Sequence, residues 1–147
     1  MATADRTPRL HIVTGKGGTG KTTVAGALAL ALASQAKRVL LVEVEGRQGL
    51  AQLFDTPPLP YAETRLAVAG GGEVAGLAID PEAAMLEYLE MFYSIKRAGS
   101  ILRKMGAIDF VTTIAPGLRD VLLTGKVKEA VTRTDRAGRP ALDAVVL

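Results

Sequence analysis

Residues 11–23 read HIVTGKGGTGKTT, and this stretch decides the fold. An apolar run, Leu10–Thr14, ends at a glycine-rich turn, after which an Ala- and Leu-rich segment runs from Lys21 to about Ala36. The pattern predicts a buried strand, a tight turn and a helix packed against a sheet. Arg38–Val44 follows as an apolar run typical of a parallel strand covered on both faces. Strand, helix and strand in this order predict a right-handed crossover unit.

The turn contains the pattern G-x-x-x-x-G-K-[ST], which ends at Lys21 and Thr22. Glycines at four of its positions let the backbone curl so that successive N–H groups point at phosphate oxygens. The positive end of the following helix adds to this attraction. The Lys21 ammonium can reach the β- and γ-phosphates, the Thr22 hydroxyl can ligate magnesium, and the Thr23 hydroxyl can bond an α-phosphate. We call Gly15–Thr22 the phosphate loop, and we predict that it binds ATP and Mg²⁺.

The predicted nucleotide site also takes in a second lysine, Lys16, inside the loop. A lysine there can point at a phosphate of its own site or of a neighbouring subunit, or it can be an exposed, solvated side chain. The residues predicted to contact the nucleotide are Gly15, Lys16, Gly17, Gly18, Thr19, Gly20, Lys21, Thr22 and Thr23.

The same stretch satisfies a rival pattern, G-x-G-x-x-G, which is typical of dinucleotide-dependent oxidoreductases. That fold places an acid at the end of the second strand, and Glu43 and Glu45 lie there. The rival pattern has no use for the Lys21–Thr22 pair, whereas nucleoside-triphosphate chemistry uses both residues. A glycine-rich turn that binds nothing also gives no reason for the lysines. We therefore favour an ATP-binding site over an oxidoreductase.

Composition sets the remaining bounds. The chain has 147 residues, 48% of them hydrophobic and 4% aromatic, which suits one domain with an aliphatic core. There is no cysteine, which excludes disulfides and thiolate metal sites. The net charge of +3 is scattered, so no nucleic-acid partner is expected. The polar first residues do not resemble a secretory signal, and the apolar run Val24–Ala33 is too short to span a bilayer. We expect a cytoplasmic protein.

Further elements are predicted downstream, within an α/β fold whose mostly parallel sheet is flanked by helices. Asp80–Pro81 reads as a helix N-cap followed by proline at the first helical position, and it opens a helical segment over 80–131. The predicted elements are a strand over Val74–Ile79, helices from Pro81 to about Lys96, over Ser100–Met105 and over Gly117–Val131, and a strand over Leu142–Leu147. Because a doubly wound domain rarely stops on a buried strand, we expect the sequence to be a C-terminally truncated portion of its domain.

The sequence KGGTGKT, Lys16–Thr22, resembles the deviant Walker A motif of the signature-lysine P-loop ATPases. RVLLVEVEGRQGLAQLF (Arg38–Phe54), LAIDPEAAMLEYLEMFY (Leu77–Tyr93) and TTIAPGLRDVLLTGKVKEAV (Thr112–Val131) resemble the arsenical pump-driving and tail-anchored-protein-targeting branch. They look most similar to the actinobacterial anion-transporting ATPase homologues. The resemblance covers nearly all of residues 1–147, as the N-terminal portion of a P-loop ATPase domain with a nucleotide-binding unit at 9–54.

The resemblance implies an ATPase that couples Mg–ATP hydrolysis to a client or partner and works as a homodimer or with a paralogous subunit. Lys16 would reach across to the partner's phosphates, and Lys21 would keep its role. The family usually has an Asp after the second strand, near the attacking water, where this chain has Glu45. Its extra methylene displaces the carboxylate, so hydrolysis could be slow, or this chain could be a non-hydrolysing subunit. The second switch and the adenine-contacting segments would follow Leu147.

Other residues receive structural interpretations. Met85, Tyr88, Leu89 and Phe92 recur at helical spacing, which favours core packing over an adaptable binding face. His11 is interpreted as a strand-face residue rather than a ligand or base. Asp120 and Lys126 are assigned surface roles only.

Overall fold

The computed structural model describes residues 9–44, 46–81, 83–87 and 116–147. Their strands form one five-stranded sheet, in the order β1-β5-β2-β4-β3. The strands are β1 (Leu10–His11), β2 (Arg38–Glu43), β3 (Thr64–Ala69), β4 (Gly72–Ala78) and β5 (Ala144–Val146). The helices with defined bounds are α1 (Lys21–Ala33), α2 (Gly49–Leu53) and α3 (Pro116–Thr132). Residues 81 and 83–87 are also helical.

The sheet is mixed but mostly parallel, which confirms the predicted fold class. β5 pairs in parallel with both β1 and β2, and β2 pairs in parallel with β4. The edge strand β3 runs antiparallel to β4. β3 was not predicted, and Gly70–Gly71 form the turn of this hairpin. Gly70 and Gly71 have φ values of 54° and 86°, which suit a tight hairpin turn.

β2 is covered on both faces, as its apolar run predicted. Val39 and Leu41 pack with α1, whereas Leu40 and Val42 pack on the other side of the sheet with α3. Leu40 and Leu41 are both 0% exposed. One central strand therefore joins two apolar layers, and its end at Glu43 is held firmly in place.

Element boundaries differ slightly from the prediction. α1 ends at Ala33, because residues 34–36 form a turn in which Ala36 adopts a φ of 60°. The short β1 is extended by a hydrogen bond of 2.7 Å from the Val13 N–H to the Leu147 carbonyl. The predicted Asp80 cap is confirmed by a 2.7 Å hydrogen bond from the Ala83 N–H to Asp80 Oδ1.

Some predictions fall outside the described residues. These are the end of the first helix of the 80–131 segment, the helix over 100–105, and the Tyr88, Leu89 and Phe92 positions. Met85 is described, and it is 8% exposed within the core, which agrees with the packing interpretation. None of the helices within the described ranges combines the length and apolarity that a membrane span requires.

Candidate phosphate-binding site

The phosphate loop joins the end of β1 to the start of α1. Residues 14–20 are all exposed. Gly18 and Gly20 have φ values of 76° and 83°, in the left-handed region that favours glycine. A Cβ placed on Gly17, Gly18 or Gly20 would meet nothing within 4 Å. The loop is therefore sharply curved and open on its outer side.

Most backbone donors of this loop have no partner among the described residues. Apart from the tight turn at Gly17–Gly18, none of the N–H groups from Gly15 to Thr23 donates a well-aligned hydrogen bond to a described residue. The first matched donor is Val24 N–H, which bonds Gly20 O at 3.0 Å. No side chain caps α1. A row of unmatched donors at a helix start is the arrangement that binds phosphate.

The loop's polar side chains converge on one carbonyl. Lys21 Nζ donates to the Lys16 carbonyl oxygen at 3.2 Å, and Thr19 Oγ1 donates to the same oxygen at 2.8 Å. The Lys21 ammonium therefore lies across the loop, close to the unmatched N–H groups. The Lys16 side chain is exposed and makes no hydrogen bond or ion pair within the described part of the chain.

Thr22 is exposed in the first turn of α1, and its hydroxyl bonds to no other described residue. It lies beside the start of α2, because a Cβ placed on Gly49 would be 3.4 Å from Thr22 Cγ2 and 3.5 Å from Thr22 Oγ1. Within the described ranges, no three His, Cys, Asp or Glu side chains converge on a possible metal site. A threonine hydroxyl and phosphate oxygens are hard oxygen ligands of the kind that Mg²⁺ takes, and Thr22 fits such a role.

Glu43 has a role that the sequence did not reveal. Its Oε1 accepts from the Gly49 N–H at 3.1 Å, and its Oε2 accepts from the Leu50 N–H at 3.0 Å. Both carboxylate oxygens thus accept hydrogen bonds from the N-terminus of α2. Glu45, the predicted residue near the attacking water, lies outside the described residues.

A second polar group lies around a cavity of about 500 Å³ on the α3 side of the sheet. We call it the Lys126 cluster. Its residues are Tyr61, Glu63, Glu87, Lys126, Glu129 and Arg133. Lys126 Nζ donates to both Glu87 oxygens, at 2.8 and 3.1 Å, and lies 5.6 Å from the Tyr61 ring centroid. The purely surface role assigned to Lys126 was wrong, because its side chain is only 19% exposed. Asp120 is exposed, as predicted.

The cluster's charges are paired, although Arg133 Nε, 3.9 Å from Glu129 Oε1, is buried without a hydrogen bond. The Tyr61 hydroxyl donates to Glu87 Oε2, and Arg133 pairs with Glu63. Burial and the bond to Glu87 raise the pKa of the Tyr61 phenol. Burial alone would raise the pKa of Glu87, but hydrogen bonds from Lys126 and Tyr61 outweigh it and hold that pKa below its ordinary value. Three members, Lys126, Glu129 and Arg133, recur at helical spacing, which is a local pattern. Their other partners come from distant segments, so local patterns do not reveal the complete cluster.

Sequence comparison with known proteins finds relatives whose similarity includes the phosphate loop and the strand-forming segments. The sequence profile of the anion-transporting ATPase family matches residues 8–147. ATPase BagA of Mycobacterium tuberculosis is 65% identical over 140 residues, covering 95% of this chain and 41% of that protein. An arsenical pump-driving ATPase of Escherichia coli is 41% identical over 81 residues, covering 55% of this chain and 13% of the relative.

A more distant relative, ATPase GET3 of Kluyveromyces lactis, is 27% identical over 146 residues, covering 95% of this chain and 41% of that protein. The chain thus spans about two fifths of the length of the mycobacterial relative, at 41%. The profile match covers the phosphate loop, the parallel strands and α3 together. The chain therefore belongs to the anion-transporting ATPase family.

Proposed function

We propose that this protein binds Mg–ATP at the phosphate loop and hydrolyses it, with residues 9–54 as the nucleotide-binding unit. The observation that carries the proposal is the group of N–H donors between Gly15 and Thr23 that lack well-aligned partners among the described residues, with the Lys21 ammonium bonded to the Lys16 carbonyl beside them. Donors fixed in place before the ligand arrives need no reorganisation when charge develops on a phosphate.

Each site residue then has a defined task. The backbone of Gly15–Thr23 would bind phosphate oxygens, and Lys21 would leave the Lys16 carbonyl to bind the β- and γ-phosphates. Thr22 fits a magnesium ligand, since its hydroxyl is exposed and has no other partner among the described residues. Bound magnesium would neutralise charge on the phosphate oxygens. Lys16, with its exposed side chain, is placed to reach a phosphate of this site or of a second subunit.

Hydrolysis by in-line attack of water on the γ-phosphate also needs a group that orients the water. We assign this task to Glu45. The intact protein would act as a homodimer or with a paralogous subunit and would couple hydrolysis to a client. The alternative is a nucleotide-binding subunit that does not hydrolyse ATP, because Glu45 places its carboxylate one methylene further out than the usual Asp. Glu45→Asp distinguishes the two alternatives. A rise in turnover indicates that Glu45 weakens the site, and unchanged turnover favours Glu45 as a working water-orienting residue.

Calorimetric titration with ATP, with and without magnesium, tests the binding proposal. We expect magnesium-dependent binding, and a loss of at least about 100-fold in affinity in Lys21→Ala, because a charge-assisted phosphate contact is removed. Lys128→Ala is the matched control, since Lys128 is an exposed lysine on α3. Equal affinity in the wild type and Lys21→Ala would contradict the proposal.

A further inference from the structure

We propose that Glu43 is a positioning residue, whose carboxylate holds the start of α2 against Thr22 and so fixes the hydroxyl of the magnesium site. This inference rests on the proposed function for the task of Thr22. It concerns Glu43, Gly49 and Thr22, which come from the end of β2, the start of α2 and the first turn of α1.

Glu43 supplies a cap that α2 lacks locally. The residue before α2, Gln48, adopts a left-handed φ of 56°, and its side chain does not cap the helix. Glu43 instead accepts the N–H groups of both Gly49 and Leu50 through its two oxygens. Charge-assisted hydrogen bonds of this kind are stronger than neutral ones and favour one fixed geometry. The carboxylate thus ties the end of a central strand to the start of a short helix.

A second pair of hydrogen bonds holds the same segment through Gln48. The Gln48 amide bonds both backbone groups of Leu59, donating to its carbonyl at 3.2 Å and accepting from its N–H at 2.7 Å. Leu59 is itself 5% exposed within the core. Gln48 and Gly49 are therefore fastened by side chains on two sides.

α2 is also packed closely onto α1, the helix that carries Thr22. Leu50 and Ala51 are 2% and 4% exposed. A Cβ placed on Gly26 would lie 2.6 Å from Leu53 Cδ2, so the two helices approach closely at this point. The position of α2 is thus set by its packing at one end and by Glu43 at the other.

The segment held by these contacts, Gln48–Gly49, lies beside Thr22. The Gly49 Cβ direction points at both branches of the Thr22 side chain, and Glu43 Oε2 lies 3.9 Å from the same point. Loss of the Glu43 carboxylate would free Gly49, and with it the start of α2 that lies next to Thr22. We therefore expect magnesium-dependent binding to weaken, whereas phosphate binding by the loop backbone should persist.

The first test measures ATP affinity of the full chain with magnesium and with EDTA. In Glu43→Ala, the magnesium-dependent gain in affinity should fall by about fivefold or more, and the affinity in EDTA should stay within about twofold of the wild type. Glu43→Gln keeps one carbonyl oxygen and should lie between. Glu73→Ala is the control, since Glu73 is an exposed glutamate at the start of β4, at the other end of the strands. Equal losses with magnesium and with EDTA would contradict the positioning role.

The second test does not depend on nucleotide. Amide hydrogen exchange at Gly49 and Leu50 in the ligand-free chain should accelerate in Glu43→Ala and not in Glu73→Ala. Unchanged exchange at Gly49 and Leu50 in Glu43→Ala would overturn the proposed positioning role of Glu43. If the wild type bound no Mg–ATP but Glu43→Ala still accelerated exchange at Gly49 and Leu50, the proposed function would be contradicted and the positioning of α2 by Glu43 supported, so the two failures are distinguishable.

Discussion

The phosphate loop and the Lys126 cluster use similar residue types in opposite ways. In the loop, most backbone donors lack well-aligned partners among the described residues, and Lys21 bonds a neutral carbonyl. In the cluster, Lys126 and Arg133 bond carboxylates, and the Tyr61 hydroxyl bonds Glu87. Unmatched donors are available to a ligand, whereas matched charges mainly hold segments together. Both regions contain charged side chains. They differ in whether the hydrogen-bond donors already have partners within the chain.

A matched pair of glycine substitutions should separate the two regions most sharply. Gly20 and Gly138 both have positive φ, 83° and 75°, and a Cβ on either meets nothing within 4 Å. Each change to alanine should lower the free energy of unfolding by about 1 kcal/mol, because of the left-handed backbone. Only Gly20→Ala should also weaken Mg–ATP binding, by roughly tenfold or more, since it shifts the N–H donors. Calorimetry and urea unfolding measure both effects, and equal affinities in the two variants would argue against the loop.

Removing the Lys126 charge should give the reverse result. Lys126→Met keeps most of the alkyl stem but leaves Glu87 without its ion pair, so we expect a loss of about 1 kcal/mol in the free energy of unfolding. Mg–ATP affinity should stay within about twofold of the wild type. Lys128→Met, at an exposed position of α3, should change neither quantity. A large loss of ATP affinity in Lys126→Met would show that the cluster belongs to the nucleotide site.

A smaller effect is expected for the Tyr61 hydroxyl. Tyr61→Phe removes its bond to Glu87 and should lower the free energy of unfolding by about 0.5–1 kcal/mol. Combined with Lys126→Met, the loss should be less than the sum of the single losses, because both residues bond the same carboxylate. Strict additivity in urea unfolding would contradict a shared role for Glu87.

The smallest effect is a pH dependence. Because the pKa of Glu87 is held below its ordinary value of 4.5, its ionised form stabilises the folded chain above that pH. This contribution is lost as the pH falls through the folded-state pKa. The wild type should therefore exceed Glu87→Gln in stability at pH 7, and the difference should shrink on acidification below pH 4.5. A difference that stays constant over this range would exclude the linkage.

Local patterns predicted the parts of the molecule that local interactions build. The phosphate loop, α1 and the two-faced burial of β2 follow from spacing and apolar runs within a few residues. α2 was missed because it has five residues, and its cap, Glu43, precedes it in another element. Lys126 was misjudged because its partner Glu87 lies 39 positions away. β3 was missed because short strands of this kind are defined by their hairpin partner.

Amide hydrogen exchange of the full chain, with and without Mg–ATP, compares the two regions in one measurement. If the unmatched donors bind phosphate, Mg–ATP should slow exchange of the N–H groups from Gly15 to Thr23 and leave those around Tyr61, Glu87 and Lys126 unchanged. The opposite result would be slower exchange around the cavity of the Lys126 cluster and unchanged exchange in the phosphate loop. It would place ATP at the Lys126 cluster and contradict the assignment of the phosphate loop as the ATP site.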